Sequence, residues 1–205
     1  MNNRALIGIL CLALAAVSAN GCKKAGTTLD NLKAAIIGET TASAKYAAYA
    51  QKAREEKFEA IAMLFQAASK AEAIHAKKHT EVLVAMGATM DPITPQFTVK
   101  STKENLQDAI KGESYEIDSM YPGFIRTAKD EKKDEAVTSF DRAMQVEMVH
   151  KELYTAALSA LEKNDMKGLS DAYSVCTVCG NTFGADVPDA CGICGVGKDK
   201  FIGIK

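Results

Sequence analysis

Two Glu-x-x-His motifs, Glu72 to His75 and Glu147 to His150, each follow a Gly-Glu pair at nearly the same distance: 33 residues separate Glu39 from Glu72, and 34 separate Glu113 from Glu147. Such self-similarity reads as two copies of one helical hairpin. Every one of these residues falls on an apolar stripe of helical period. Leu32, Ile36, Tyr46 and Ala50 flank Glu39; Phe65, Ala68, His79 and Val82 flank the first motif; Leu106, Ala109 and Met120 flank Glu113 and Glu116; Phe140, Ala143, Tyr154 and Ala157 flank the second motif. A turn is expected at residues 54–57, a C-cap at Gly87, a long connection through Pro92 and Pro95, and a capping box at Ser101-x-x-Glu104. Pro122 is expected to kink or end the third helix. The fold class is therefore mainly α, a four-helix bundle over residues 29–164 with pseudo-twofold symmetry.

Inward-facing carboxylates need a partner, because burying one unpaired costs several kcal/mol. Taken singly, each Glu could be a solvated charge and each His a hydrogen-bonded core residue. Their joint occurrence on four stripes favours metal binding. One Glu from each of two helices and a Glu-x-x-His from each of the other two is the general pattern of ferritin-like di-iron and di-manganese proteins, and it is adopted from there. The ligands are Glu39, Glu72, His75, Glu113, Glu147 and His150, with oxygen and imidazole donors suited to iron or manganese.

Glu116 breaks the symmetry, since Ala42 occupies the matching position of the first half. Four carboxylates balance the charge of two ferrous ions, whereas two ferric ions favour a fifth, so Glu116 reads as a redox-linked ligand that His75 replaces on reduction. The plainer reading makes Glu116 a hydrogen-bonding neighbour of the ligands. Tyr46 and Tyr121 lie within two turns of ligand glutamates and can hydrogen-bond them; core packing is the competing reading. His79, where the fourth helix has Tyr154, reads as structural or as a support to the ligands.

Beyond a linker at residues 165–172 come Cys176-x-x-Cys179-Gly180 and Cys191-x-x-Cys194-Gly195. Two such knuckles give a tetrahedral four-sulfur site in residues 172–205, for which structural zinc and a single redox iron fit equally well. Two disulfides are the third reading. With 25 basic and 26 acidic residues and no long basic run, the chain offers no electrostatic reason to bind nucleic acid.

At the N-terminus, Arg4 precedes an apolar run at residues 5–17 and the small residues before Cys22, the architecture of an export signal over residues 1–22. The run is shorter than the ~20 residues that span a bilayer. Export places the protein in the periplasm or, lipid-anchored through Cys22, on the outer face of the membrane. Cleavage after Ala19 is the soluble alternative.

These motifs together resemble rubrerythrin, a ferritin-like di-iron bundle followed by a rubredoxin-like domain, over nearly all of the chain from Leu29 onward. The resemblance rests on Glu39, Glu72-x-x-His75, Glu113-x-x-Glu116, Glu147-x-x-His150 and Cys176, Cys179, Cys191 and Cys194, with Tyr46 and Tyr121 where the family has supporting tyrosines. It implies a peroxidase that reduces hydrogen peroxide to water at two iron ions, with exchange of His75 for Glu116. It further implies one iron in the cysteine site relaying electrons from a donor such as rubredoxin or another redox protein, and a homodimer. The alternative is ferritin-like iron storage or ferroxidase activity with structural zinc in the cysteine module.

Overall fold

Thr27 starts the first helix by a reciprocal pair of bonds: its hydroxyl accepts from the Asp30 amide at 3.2 Å, and the Asp30 carboxylate accepts from the Thr27 amide at 3.0 Å. The computed structural model describes residues 26–204. Helix α1 (Thr28–Glu55) turns into α2 (Glu59–Ala85), and these two antiparallel helices form the first hairpin. Gly87, at φ +80°, follows α2 in the left-handed conformation that glycine adopts without a Cβ penalty. The long connection then leads to Ser101 and Glu104, which form the expected capping box of α3 (Thr102–Tyr115). A π-helical segment (Glu116–Met120) joins α3 to α4 (Tyr121–Asp130), and α5 (Asp134–Lys163) completes the bundle. The export signal expected at residues 1–22 lies outside the described residues.

Pro122 does not end the third helix. It sits in the first turn of α4, where its missing amide is tolerated, and the irregularity lies just upstream, where the Tyr121 amide bonds to the Glu116 carbonyl five residues back. The two hairpin turns show what this segment is. Both place a lysine at positive φ, Lys57 at 66° and Lys132 at 55°, and both close with a 2.8 Å bond from the next amide, Phe58 to Ala53 and Lys133 to Ala128. Lys57 and Lys132 precede Glu72 and Glu147 by the same 15 residues, but Glu39 precedes Lys57 by 18 and Glu113 precedes Lys132 by 19. The extra residue of the second half therefore lies between Glu113 and Lys132, and the π segment that starts at Glu116 absorbs it.

Two apolar clusters fill the bundle. One gathers Tyr46, Phe65, Ala71, Leu106, Ala109, Tyr154 and Ala157; the other gathers Leu32, Ile36, Leu83, Tyr121, Phe140 and Ala143. On all four helices the chain passes from one cluster to the other across the glutamates and histidines: Glu39 between Ile36 and Tyr46, His75 between Ala71 and Leu83, Glu113 between Ala109 and Tyr121, Glu147 between Ala143 and Tyr154. The polar groups thus form one layer sealed above and below by hydrocarbon. Glu39, Glu72, Glu113, Glu147, His75 and His150 are all buried.

The C-terminal module is a three-stranded antiparallel sheet in the order β2-β1-β3, with β1 (Tyr173–Cys176), β2 (Thr182–Phe183) and β3 (Phe201–Ile204). Tyr173 and Val175 of β1 join the first apolar cluster, so the module packs against the bundle of its own chain. Among the described residues no helix is long and apolar enough to cross a membrane.

Candidate metal centre

Helices α1, α2, α3 and α5 bring six of the expected ligands into two overlapping groups. Glu39, Glu72, His75 and Glu147 form one; Glu72, Glu113, Glu147 and His150 form the other, and within each the donor atoms lie within 4.8 Å of one another. Glu72 and Glu147 belong to both. Each sends one oxygen to each side: Glu72 Oε2 is 2.9 Å from His75 Nδ1 and its Oε1 is 3.2 Å from His150 Nδ1, while Glu147 Oε1 is 2.8 Å from His75 Nδ1 and its Oε2 is 2.8 Å from His150 Nδ1. That is the arrangement of two carboxylates spanning a pair of cations, with Glu39 and Glu113 serving one side each.

The buried donor atoms fit metal ions better than they fit each other. Only His150 Nδ1 and Glu147 Oε2 are aligned as a hydrogen bond. Glu39 Oε2, both oxygens of Glu72, Glu147 Oε1 and His75 Nδ1 have no hydrogen-bond partner despite their short separations, so their lone pairs converge on shared points. Five orphaned donors in an apolar interior would be a severe defect in a metal-independent fold. Hard donors of this kind suit iron or manganese.

Electrostatics agrees. Burial, helped by repulsion from Glu72 and Glu147, outweighs the opposing His75 and pushes Glu39 up to about 8, and burial with the same two carboxylates holds Glu113 well above the usual carboxylate range. Burial would also raise Glu72, but the imidazoles of His150 and His75 outweigh it and hold that carboxyl to about 2. For the histidines, burial opposes the charge, yet Glu72 and Glu147 raise His150 to about 10, and Glu147 leads the groups that raise His75 well above its ordinary value. Without a metal such a site holds protons as its cations; a divalent ion can take their place.

The far sides of both imidazoles are held by the C-terminal module. His75 Nε2 lies 3.0 Å from the Cys179 carbonyl, which can only accept, so this nitrogen donates and Nδ1 is the one turned to the carboxylates. His150 Nε2 lies 3.0 Å from Thr182 Oγ1, whose own proton goes to the Gly180 carbonyl, so His150 also donates outward and turns Nδ1 inward. Two residues of the cysteine module, Cys179 and Thr182, thus orient a ligand from each half of the bundle. The sequence signals neither contact: Thr182 belongs to no motif, and Cys179 is marked by its thiol, not by its carbonyl.

Tyr46 donates to Glu113 at 2.6 Å, and Tyr121 donates to Glu39, so the expected tyrosines each hold one of the two unshared carboxylates. Glu116 belongs to neither donor group. It is half-buried at the start of the π segment, and burial, then the charge of Glu39, keeps its carboxyl well above the usual range. His75 occupies the cluster instead.

The four cysteines are free and converge, with Cys176 and Cys194 sulfurs 3.6 Å apart and Cys179 and Cys191 sulfurs 3.5 Å apart. Each knuckle closes with a 2.9 Å amide bond back to its first cysteine, from Gly180 to Cys176 and from Gly195 to Cys191. The arrangement is a four-sulfur metal site.

Comparison with known proteins agrees with this geometry. The family model described as Rubrerythrin matches residues 30–158, and the model for the rubrerythrin rubredoxin-like domain matches residues 175–202. The chain belongs to the rubrerythrin family. It is 41% identical over 181 residues to the nigerythrin of Nitratidesulfovibrio vulgaris, covering 86% of each chain. Rubrerythrin-2 of Clostridium acetobutylicum is 34% identical over 186 residues, covering 87% of this chain and 97% of the relative. Among solved structures, the fully reduced, all-ferrous state of nigerythrin superposes with a TM-score of 0.80 at 38% identity, covering 91% of both chains. A bacterioferritin of Rhodobacter capsulatus, 16% identical with a TM-score of 0.57 over 78% of this chain and 96% of that one, shares the ferritin-like fold.

Proposed function

We propose that this rubrerythrin-family chain is a non-haem di-iron peroxidase that reduces hydrogen peroxide to water, fed by electrons that enter through an iron in the four-cysteine site. The observation that carries this reading is the hydrogen bond from His75 to the Cys179 carbonyl, which joins a side chain of one metal site directly to a residue of the other. In a storage protein with a structural zinc module that contact would only orient His75; with a redox iron it also gives electrons a bonded path into the bundle. The nigerythrin likeness, in which the structure is described as all ferrous, supports iron.

Bound in the bundle, two ferrous ions supply the two electrons that cleavage of the oxygen–oxygen bond takes up. The chain does the rest. Glu72 and Glu147 would be shared by the two ions and Glu39 and Glu113 would serve one each, with Tyr121 and Tyr46 holding those two carboxylates in place. The apolar clusters exclude bulk water from the layer.

The test is metal analysis with visible spectroscopy and peroxide turnover. An iron–sulfur absorption band that bleaches when donor is added, together with peroxide consumption, is expected; a colourless, zinc-filled module would replace the relay by a structural role. Changing Cys176 and Cys179 together to Ser should abolish donor-driven turnover while chemically reduced protein still completes one turnover, because the bundle has its own core and ligands. Survival of donor-driven turnover would sink the relay.

Glu116 is proposed to enter the centre when the ions are oxidised. Glu116→Ala should then slow peroxide turnover by roughly 10–100-fold while iron per chain stays near the wild-type value. An undiminished rate at full iron loading would show that the fifth carboxylate is not needed.

A further inference from the structure

Peroxide reduction consumes two protons in a layer closed above and below by apolar clusters, and among the described residues a chain of hydrogen-bonded side chains leads into it from a cleft that also reaches the ligand His75. This cleft of about 340 Å³ opens where the C-terminal module meets α2 and α5, and Ser139 and His79 are on its wall. From there the groups run inward. Ser139 Oγ is 2.8 Å from His79 Nδ1, His79 Nε2 is 3.2 Å from the Tyr121 hydroxyl, and Tyr121 donates to Glu39. Ser139 is half-buried, while His79 and Tyr121 are fully buried, so the chain begins at solvent and ends on a carboxylate of the metal layer.

From this geometry we propose that Ser139, His79 and Tyr121 form a proton relay that carries protons from the cleft to Glu39 during peroxide reduction. The direction follows from counting hydrogens. Tyr121 has one, and it goes to Glu39, so the Tyr121 oxygen can only accept from His79; that fixes the proton of the imidazole on Nε2. His79 Nδ1 is then a bare acceptor, and the Ser139 hydroxyl must donate to it. Every donor points the same way. One transfer takes a proton from a hydronium ion or buffer acid in the cleft onto the Ser139 oxygen, moves the Ser139 proton to His79 Nδ1, the Nε2 proton to the Tyr121 oxygen, and the Tyr121 proton to Glu39, which passes it to the departing peroxide oxygen. Each relay group gains one proton and loses one, so none changes its net charge, and His79 is left in the other tautomer. Its ring stays neutral throughout, because full burial disfavours the charged form. Phe140 packs against both rings, with its centroid 5.3 Å from that of His79 and 6.0 Å from that of Tyr121, which holds the pair in line.

This relay rests on the peroxidase reading, and its test separates the two. Iron-loaded, chemically reduced protein is mixed with hydrogen peroxide in H2O and in D2O, and a single reoxidation is followed. His79→Leu should slow it ~100-fold and alter the solvent isotope effect, with added imidazole, small enough for the cleft, restoring much of the rate. Ser139→Ala should lose only ~10-fold, since cleft water can stand in for the hydroxyl. Iron per chain and the absorption of the cysteine site should not change in either. A fully loaded His79→Leu protein with an undiminished rate overturns the relay, and so does a slowed one with an unaltered isotope effect and no imidazole rescue, because lost packing alone does that. If His79→Leu does not fold, His79→Gln, which keeps a polar side chain but cannot take a proton on one atom and release one from another, decides: an undiminished rate with an unaltered isotope effect overturns the relay. Independently of turnover, the nitrogen-15 spectrum of the full chain loaded with diamagnetic zinc should show His79 protonated on Nε2 and bare on Nδ1; the reverse tautomer overturns the proposed direction. Should the wild type fail to consume peroxide, the peroxidase reading falls, and the same H2O and D2O comparison with dioxygen as the oxidant decides the relay.

Discussion

Glu147→Gln is expected to lose both metal ions of the bundle, not one. The side chain keeps its size, but an amide gives up the negative charge and offers a single oxygen where Glu147 sends one oxygen to each side of the layer. Either cation position would be left with the remaining members of its group and less charge than a buried divalent ion requires. Glu113→Gln removes a donor from one group only, so it should weaken one position and spare the other. Elemental analysis of purified protein checks this directly. Wild type should carry metal in three positions, Glu113→Gln should retain the cysteine-site metal with part of the bundle metal, and Glu147→Gln should retain the cysteine-site metal alone. Full bundle occupancy in Glu147→Gln would mean that the two groups are not joined through this carboxylate. The far-UV spectrum should remain helical in all three, since the two apolar clusters do not include Glu147.

What could be read from the sequence was whatever repeats with the period of a helix. The stripes place Glu39, Glu72, Glu113 and Glu147 inward, and each occurs at the break between the two clusters. The one-residue difference between the halves was also visible, but spacing alone cannot say where in a hairpin a residue has been added. Pro122 drew attention to a helix end, whereas the lesion is the π segment before it. That became clear only once the matching turns at Lys57 and Lys132 fixed a common origin. Contacts that depend on docking were out of reach. His75 to Cys179 spans 104 residues and His150 to Thr182 spans 32, and nothing in either local pattern encodes a module coming to rest on α2 and α5. His79 was legible as an inward histidine, one turn beyond a ligand; its role was not, because Ser139 and Tyr121 lie on other helices.

Gly180→Ala is expected to separate the two metal sites without destroying either. Gly180 has φ +84°, and a Cβ there would come within 2.5 Å of His75 Nε2, 3.0 Å of His75 Cδ2 and 3.2 Å of the Ala71 carbonyl. The imidazole cannot swing away freely, since its other nitrogen faces Glu72 and Glu147, and the Ala71 carbonyl belongs to the backbone of α2. The knuckle must therefore retreat, and the bond from His75 to Cys179 is lost with it. Gly195 supplies the control. It occupies the same place in the second knuckle at φ +77°, but a Cβ there meets nothing within 4 Å. Gly195→Ala should thus carry only the backbone penalty of a left-handed alanine, about 1–2 kcal/mol, with the module still seated. Donor-driven turnover should fall on the order of 100-fold in Gly180→Ala and little in Gly195→Ala, while both bind their full metal and both complete a single turnover after chemical reduction. The contrast between the two alanines isolates the close approach from the strain they share. Equal losses in both would place the defect in the knuckles themselves, and undiminished donor-driven turnover in Gly180→Ala would show that electrons reach the bundle without the His75 contact.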